Sequence, residues 1–328
     1  MKKLYILSLL MVGTLSFGQV TLPHYEGFNY ASGAPLQTQT GWTLLNTGDD
    51  LAIATGNLTY TGLATSTGNK VTFGGAGIDA IKNFTSQNSG TVYYSLLLNI
   101  SSMAGVTDAN GGYFAALTET NTNFAATLWV KRVDDSNFNI GIETRSASAA
   151  ATTWTSTAYA TGQTLFIVVS YTFNPSTSDD VTKLWVNPTP GSAEPTPTIT
   201  DTHTGTDIGA VTNFLLRQDS VTETPPNMEV DELRIATTWA GVTTANLSVK
   251  ENQIAGLNIY PNPVTNGKFS ISTNANAEKS VVIFDVLGKQ VVKTTATETV
   301  NVSNLNAGVY IVKIIEEGKT ATRKLIIK

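Results

Sequence analysis

Cysteine is absent from the 328 residues, which excludes disulfides, thiolate metal sites and a cysteine nucleophile together. Charge is scarce as well. Only 14% of the residues are Asp, Glu, Lys or Arg, and the formal net charge is −5. With no run of Lys and Arg to neutralise phosphates, nucleic acid is not an expected partner. Histidine occurs twice, at His24 and His203, and no Gly-x-Ser-x-Gly elbow accompanies either, so a Ser-His-Asp hydrolase has no support. No apolar run approaches the roughly twenty residues that a transmembrane helix needs. Long helical surfaces, which draw on Glu, Lys and Arg, are also disfavoured; the abundant Thr, Ser, Asn and Gly suit strands and turns instead.

The opening residues read as an export signal. Lys2 and Lys3 supply positive charge, Leu4 to Leu15 an apolar stretch, and Ser16-Phe17-Gly18 small residues where cleavage needs them. The expected signal peptide is 1–18. From Tyr25 to about Ala240 short apolar runs recur between Gly, Asn, Asp and Pro clusters, at the spacing of a β-sandwich. The clearest expected strands are Thr91–Ile100, Gly112–Glu119, Ala125–Val133, Asn137–Arg145, Thr164–Phe173, Asp180–Asn187, Val211–Arg217 and Met228–Ala236. Leu165 to Tyr171 is apolar nearly throughout and should be central, whereas Asn137–Arg145 alternates and should have one wet face. The Pro-, Thr- and Gly-rich stretch Asn187–Thr206 reads as a surface loop, since its prolines lack donors. Small polar residues at 241–256 mark a linker, which gives a working module over 19–240 and a second over 257–328.

That second module carries four separated motifs: Leu257-Asn258-Ile259-Tyr260-Pro261-Asn262-Pro263, Val281 to Lys289, Leu305 to Val312, and Arg323 to Lys328. Physically they are strands joined by tight turns, with Gly288, Gly308 and Gly318 placed where positive φ is cheap. Together they resemble the type A C-terminal sorting domain of type IX secretion cargo from the Bacteroidetes. The resemblance implies a small immunoglobulin-like sandwich, a partnership with the type IX machinery, and export across the outer membrane to the surface or the medium. It assigns these residues no part in the passenger's activity.

Within the first module, Tyr25 to Tyr30 with Gly41-Trp42 resembles the first strand of concanavalin-like, laminin-G-like jelly rolls, and Val230 to Ile235 ahead of Thr238-Trp239 resembles the last. The expected fold is therefore all-β, a two-sheet jelly roll followed by the sorting sandwich. By period two, Glu229 and Asp231 share a face with Leu233 and Ile235, so Asp231 should point inward, where an unpaired carboxylate is costly. In related jelly rolls the acidic residues of the first and last strands hold a structural calcium. The resemblance places that role on Glu26 and Asp231. The alternative is that Asp231 accepts backbone hydrogen bonds or faces solvent.

No catalytic constellation emerges. Laminarinase-like chemistry needs Glu-x-Asp-x-x-Glu on one strand; Glu229-Val230-Asp231 is followed by Arg234 where the last Glu belongs, and it lies on the wrong strand. A lyase using Tyr with Arg or Lys stays open. For ligand binding, Trp129 and Lys131 share one strand face, Asn139, Glu143 and Arg145 a second, and Lys183, Trp185 and Asn187 a third. If these faces line one concave sheet, they form a groove with aromatic platforms suited to sugar rings; otherwise the tryptophans belong to the core. The expected function is carbohydrate or surface binding, with a polysaccharide hydrolase or lyase and a purely adhesive protein as the alternatives.

Overall fold

The computed structural model describes residues 19–144, 151–202, 206–246 and 254–328; the expected signal peptide, Arg145 and His203 lie outside them. The chain divides into two compact units, with the division falling after Asn246. No helix among the described residues is long and apolar enough to cross a membrane.

The first unit holds β1 (His24–Glu26), β2 (Trp42–Leu45), β3 (Ala52–Ala54), β4 (Lys70–Phe73), β5 (Asp79–Gln87), β6 (Gly90–Ile100), β7 (Gly112–Thr118), β8 (Phe124–Asp134), β9 (Asn137–Glu143), β10 (Thr153–Trp154), β11 (Tyr159–Ala160), β12 (Thr164–Phe173), β13 (Val181–Val186), β14 (Ile199–Thr202), β15 (Val211–Arg217) and β16 (Met228–Ala236), then the short helix α1 (Trp239–Val242). Two antiparallel sheets result. Sheet one runs β14-β13-β12-β6-β16-β4-β3, with β1 on β16; sheet two runs β10-β9-β8-β7-β15-β5-β2, with β11 on β9. The chain steps between sheets at β1 to β2, β2 to β3, β4 to β5, β5 to β6, β6 to β7, β11 to β12, β14 to β15 and β15 to β16, which is how a jelly roll closes one core with two sheets.

Inward residues build that core: Leu96, Leu98 and Tyr94 from β6, Ile167, Val169 and Tyr171 from β12, Phe214 and Leu216 from β15, and Phe138, Ile140 and Ile142 from β9. The Tyr94 hydroxyl, fully buried, donates to the Ala126 carbonyl at 2.8 Å, as a buried phenol must to recover its lost water. A second apolar layer covers the outer face of sheet one, where Tyr93, Leu97, Phe166, Val168 and Trp185 pack under Leu58, Trp239 and Val242. Helix α1 therefore belongs to this unit, and the unit runs six residues past the expected end at 240.

Two expectations about local structure are corrected. Ile199–Thr202 is a strand inside the Pro-rich stretch, pairing with β13 from Leu184↔Ile199 to Val181↔Thr202; backbone donors return once Pro197 is passed. The face of β9 expected to be wet is covered, because the Trp154 ring lies on Gly141, where an added Cβ would come within 2.7 Å of it.

The second unit holds β17 (Asn258–Tyr260), β18 (Lys268–Ser272), β19 (Lys279–Phe284), β20 (Gln290–Ala296), β21 (Thr299–Asn301), β22 (Gly308–Glu316) and β23 (Lys319–Ile327). They form sheets β17-β18-β21 and β20-β19-β22-β23 around Phe269, Ile271, Val281, Ile283, Val312, Ile314 and Leu325. Buried Lys279 is satisfied by the carbonyls of Ala277 and Thr297 at 2.7 and 2.8 Å and by Glu316 at 3.1 Å. Gly288 and Gly318 take positive φ in tight turns, while Gly308 does not and opens β22 instead.

Candidate functional site

The outer face of sheet two carries one row of side chains that crosses six strands. Asp79 on β5 faces Arg217 on β15. The Arg217 guanidinium lies 4.0 Å over the Tyr113 ring on β7. Tyr113 pairs with Trp129 on β8, Trp129 with Gly141 on β9, and Gly141 with Trp154 on β10. With strands about 4.8 Å apart, the row extends roughly 24 Å. Its rings are fixed in mutual contact: Tyr113 to Trp129 centroids are 5.3 Å apart, Trp129 to Trp154 6.4 Å. Lys131 places its ammonium 4.3 Å over Trp154, a cation-π contact.

Over the middle of this row opens a recess of about 240 Å³, lined by Asp108, Asn110, Gly111, Tyr113, Trp129, Arg217, Asp219 and Glu223. Arg217 forms an ion pair with Asp219 at 2.8 Å, and Asp219 shares a hydrogen bond with Glu223. Burial pushes the Glu223 carboxyl up to about 7, helped by its hydrogen bond to Asp219 and by that group's charge. Burial would raise Asp219 as well, but the hydrogen bond and charge of Arg217 hold it below the ordinary value. Just behind Arg217, Asp79 is 4% exposed, receives the Asn46 amide at 2.9 Å on one oxygen, and is pushed up to about 7 by burial, with Arg217 opposing.

The structure divides the residues expected to form one groove. Trp129 lines the recess and Lys131 adjoins it, next to Gly111. Glu143 shares their face of sheet two but is fully buried, and the recess does not include it; Arg145 lies outside the described residues. Trp185 is on the outer face of the other sheet, 2% exposed beneath the Pro-rich loop, donating to the Pro195 carbonyl at 2.8 Å. A single groove containing Trp129 and Trp185 is therefore corrected: the sandwich stands between them. The residues that sequence reading missed, Tyr113, Arg217 and Asp219, gave one usable signal, an outward Arg at the end of a strand whose inward positions are Phe214 and Leu216.

Glu26 and Asp231 are also kept apart. Glu26 points into the sandwich, where its carboxylate meets Lys82 at 2.7 Å and accepts from the Tyr30 hydroxyl, the Trp42 indole and the Phe28 amide at 2.9, 3.2 and 3.0 Å. Asp231 points to the other face of sheet one. It pairs across with Leu97 of the outer layer and accepts from the amides of Leu58 and Glu232 at 2.8 and 2.7 Å. Period two fails because a bulge falls between Asp231 and Arg234, with Glu232 at φ 55°. The backbone-bonded alternative describes Asp231, and the pair does not form a shared cation site.

Elsewhere, carboxylate oxygens of Asp179, Asp180 and Asp207 all lie within 4.8 Å of one another and could hold a metal ion. Asp180 accepts from the Tyr171 hydroxyl and the Asn174 amide, each at 2.6 Å, and is raised by burial and by its acidic neighbours.

Comparison with known proteins bears chiefly on the second unit. Residues 258–328 match the family described as the Secretion system C-terminal sorting domain. The chain is thus type IX secretion cargo, bound for the cell surface or the extracellular space, and its sorting domain implies contact with that machinery. A curated relative, the ulvan lyase NLR42 of Nonlabens ulvanivorans, is 34% identical over 89 residues, which is 26% of this chain; the chain spans 16% of that protein's length. Among solved structures, the botulinum neurotoxin serotype D binding domain aligns at TM-score 0.36 and 12% identity, covering 86% of this chain and 69% of that one. The exoplasmic/lumenal domain of VIP36 in a metal-free form aligns at TM-score 0.37 and 9% identity, covering 68% and 95%. The CBM2 module of the evolved Dit of Lactobacillus casei BL23 phage J-1 gives 0.33 and 11%, covering 61% and 91%.

Proposed function

We propose that the first unit is an exported carbohydrate-binding module and that its glycan sits on the recess over Tyr113, Trp129 and Arg217. The carrying observation is an oriented Arg217-Asp219 pair in a recess walled by Tyr113 and Trp129: the guanidinium and carboxylates bond a sugar's hydroxyls, while the rings, 8% and 3% exposed, hold the wall rigid. Three carboxylic side chains against one guanidinium line the recess, a balance that favours neutral glycans over sulfated or uronate chains. Purified full chain should bind immobilised neutral polysaccharide, and Asp219→Ala should lose that binding while the fold persists. Binding that ignores Asp219→Ala would sink this reading.

A polysaccharide lyase or hydrolase is the second reading, favoured by the Tyr113 and Arg217 pair in the recess; product release from any bound polysaccharide would establish it over simple binding. A structural calcium, if the chain holds one, belongs at Asp179, Asp180 and Asp207, an all-oxygen donor set suited to a hard cation. Chelation should then lower the melting temperature, and Asp207→Ala should abolish that sensitivity; an unchanged melting temperature would remove calcium from the account.

A further inference from the structure

A second recess, of about 530 Å³, opens on the same outer face of sheet two. Strand β15 carries both. Asn213 lines this recess, Arg217 lines the other, and Leu215 lies between them on the same face. Four residue steps along the strand place Asn213 about 13 Å from Arg217. Between them the strands are held together by the buried apolar cluster of Leu215, Ile81 and Ala116, which fixes the spacing of the two recesses.

The second recess is built for hydroxyl groups rather than charge. Glu119 is the one ionisable residue lining it. Asn213 donates its amide to Thr118 and Thr212 hydroxyls at 3.1 and 3.0 Å, which orients its carbonyl oxygen as a fixed acceptor. The exposed Thr43 hydroxyl and the Asn83 carboxamide stand on neighbouring strands of the same wall.

We propose that the two recesses are subsites of one binding face, so that the ligand is an internal stretch of an extended neutral polysaccharide rather than a single sugar or a chain end. The proposal rests on the glycan reading of the Arg217 recess, since a second subsite has meaning only beside a first. The face then discriminates by length: a chain that reaches both recesses gains contacts that a short one cannot make.

The test is calorimetric titration of the full chain with disaccharides and hexasaccharides of β-glucan, xylan and mannan. The hexasaccharide of the recognised polymer should bind at least about tenfold more tightly than its disaccharide, the ratio that roughly 1.4 kcal/mol of added contact gives. Asn83→Ala, and independently Thr43→Ala at an exposed position, should weaken the hexasaccharide several-fold and leave the disaccharide unchanged, whereas Asp219→Ala should weaken both. Equal affinity for the two lengths would overturn the second subsite while leaving the first recess intact. So would hexasaccharide binding that survives both the Asn83 and Thr43 variants but is lost with Asp219→Ala. Binding of neither saccharide, or binding indifferent to Asp219→Ala, would overturn both proposals.

Discussion

Replacing Lys82 by Met removes one partner of a buried ion pair and keeps the bulk of its stem. Lys82 is 3% and Glu26 7% exposed, with 2.7 Å between the charges. Orphaning one member of such a pair costs about 3–5 kcal/mol, because the remaining charge stays buried. Here the Glu26 carboxylate keeps the Tyr30, Trp42 and Phe28 donors, so a loss near the lower end, about 3 kcal/mol, is expected at neutral pH. The sign with pH follows from Glu26. Burial alone would raise it, yet the charge and hydrogen bonds of Lys82, with those of Tyr30 and Trp42, hold it below its ordinary 4.5. Its stabilising contribution is therefore present above about 4.5 and is lost as pH falls through the lowered folded value. The deficit of Lys82→Met should shrink in acid, and Lys82→Met with Glu26→Gln should recover most of it at neutral pH. All five tryptophans, at 42, 129, 154, 185 and 239, lie in the first unit, so urea unfolding followed by tryptophan emission reads that unit alone. A neutral-pH loss under about 1 kcal/mol, or a deficit that grows in acid, would refute the assignment of Glu26 to Lys82.

Other consequences are as direct. Trp239 is 8% exposed, 4.9 Å from the Trp185 ring, and donates to the Ser192 carbonyl at 2.9 Å; Trp239→Ala should cost about 3–5 kcal/mol in the same assay, and a cost under about 1 would detach α1 from the unit. Burial pushes Asp231 up to about 7 against its two amide donors, so its stabilising share is full below about 3.8 and fades as pH rises through about 7; Asp231→Asn should flatten that decline, and a wild type that gains stability over this range would show the amide bonds outweighing burial. Deleting residues 258–328 should leave the protein in the periplasm, and its normal appearance in the culture medium would defeat the export assignment.

How far the sequence discloses this molecule depends on which face a residue occupies. Thr164–Phe173, Val211–Arg217 and Met228–Ala236 coincide with β12, β15 and β16, because apolar residues are dense in all three and, in β12, recur inward at every second position. Strand β5 follows the same rule and yet hides from it. Its inward row is Ala80, Lys82 and Phe84, and a lysine at the middle position reads as solvent until Glu26, 56 residues away, is known to neutralise it. Asp231 misleads in the opposite direction: one extra residue in the β16 ladder turns it from the core to the outer layer, and nothing in Val230 to Ile235 announces the bulge. The candidate site fails to show for a third reason. Tyr113, Trp129, Arg217 and Trp154 sit on four different strands and become neighbours only through the register of sheet two. A cross-strand row has no sequence spacing, so Trp129 could be singled out as aromatic and outward while its true companions could not, and Trp185, equally aromatic and equally outward, could be grouped with it although a second apolar layer had already claimed it. What separates a recess wall from a core residue on an outer sheet face is what lies on top of it, and that is decided by loops such as the Pro195 segment rather than by the strand itself.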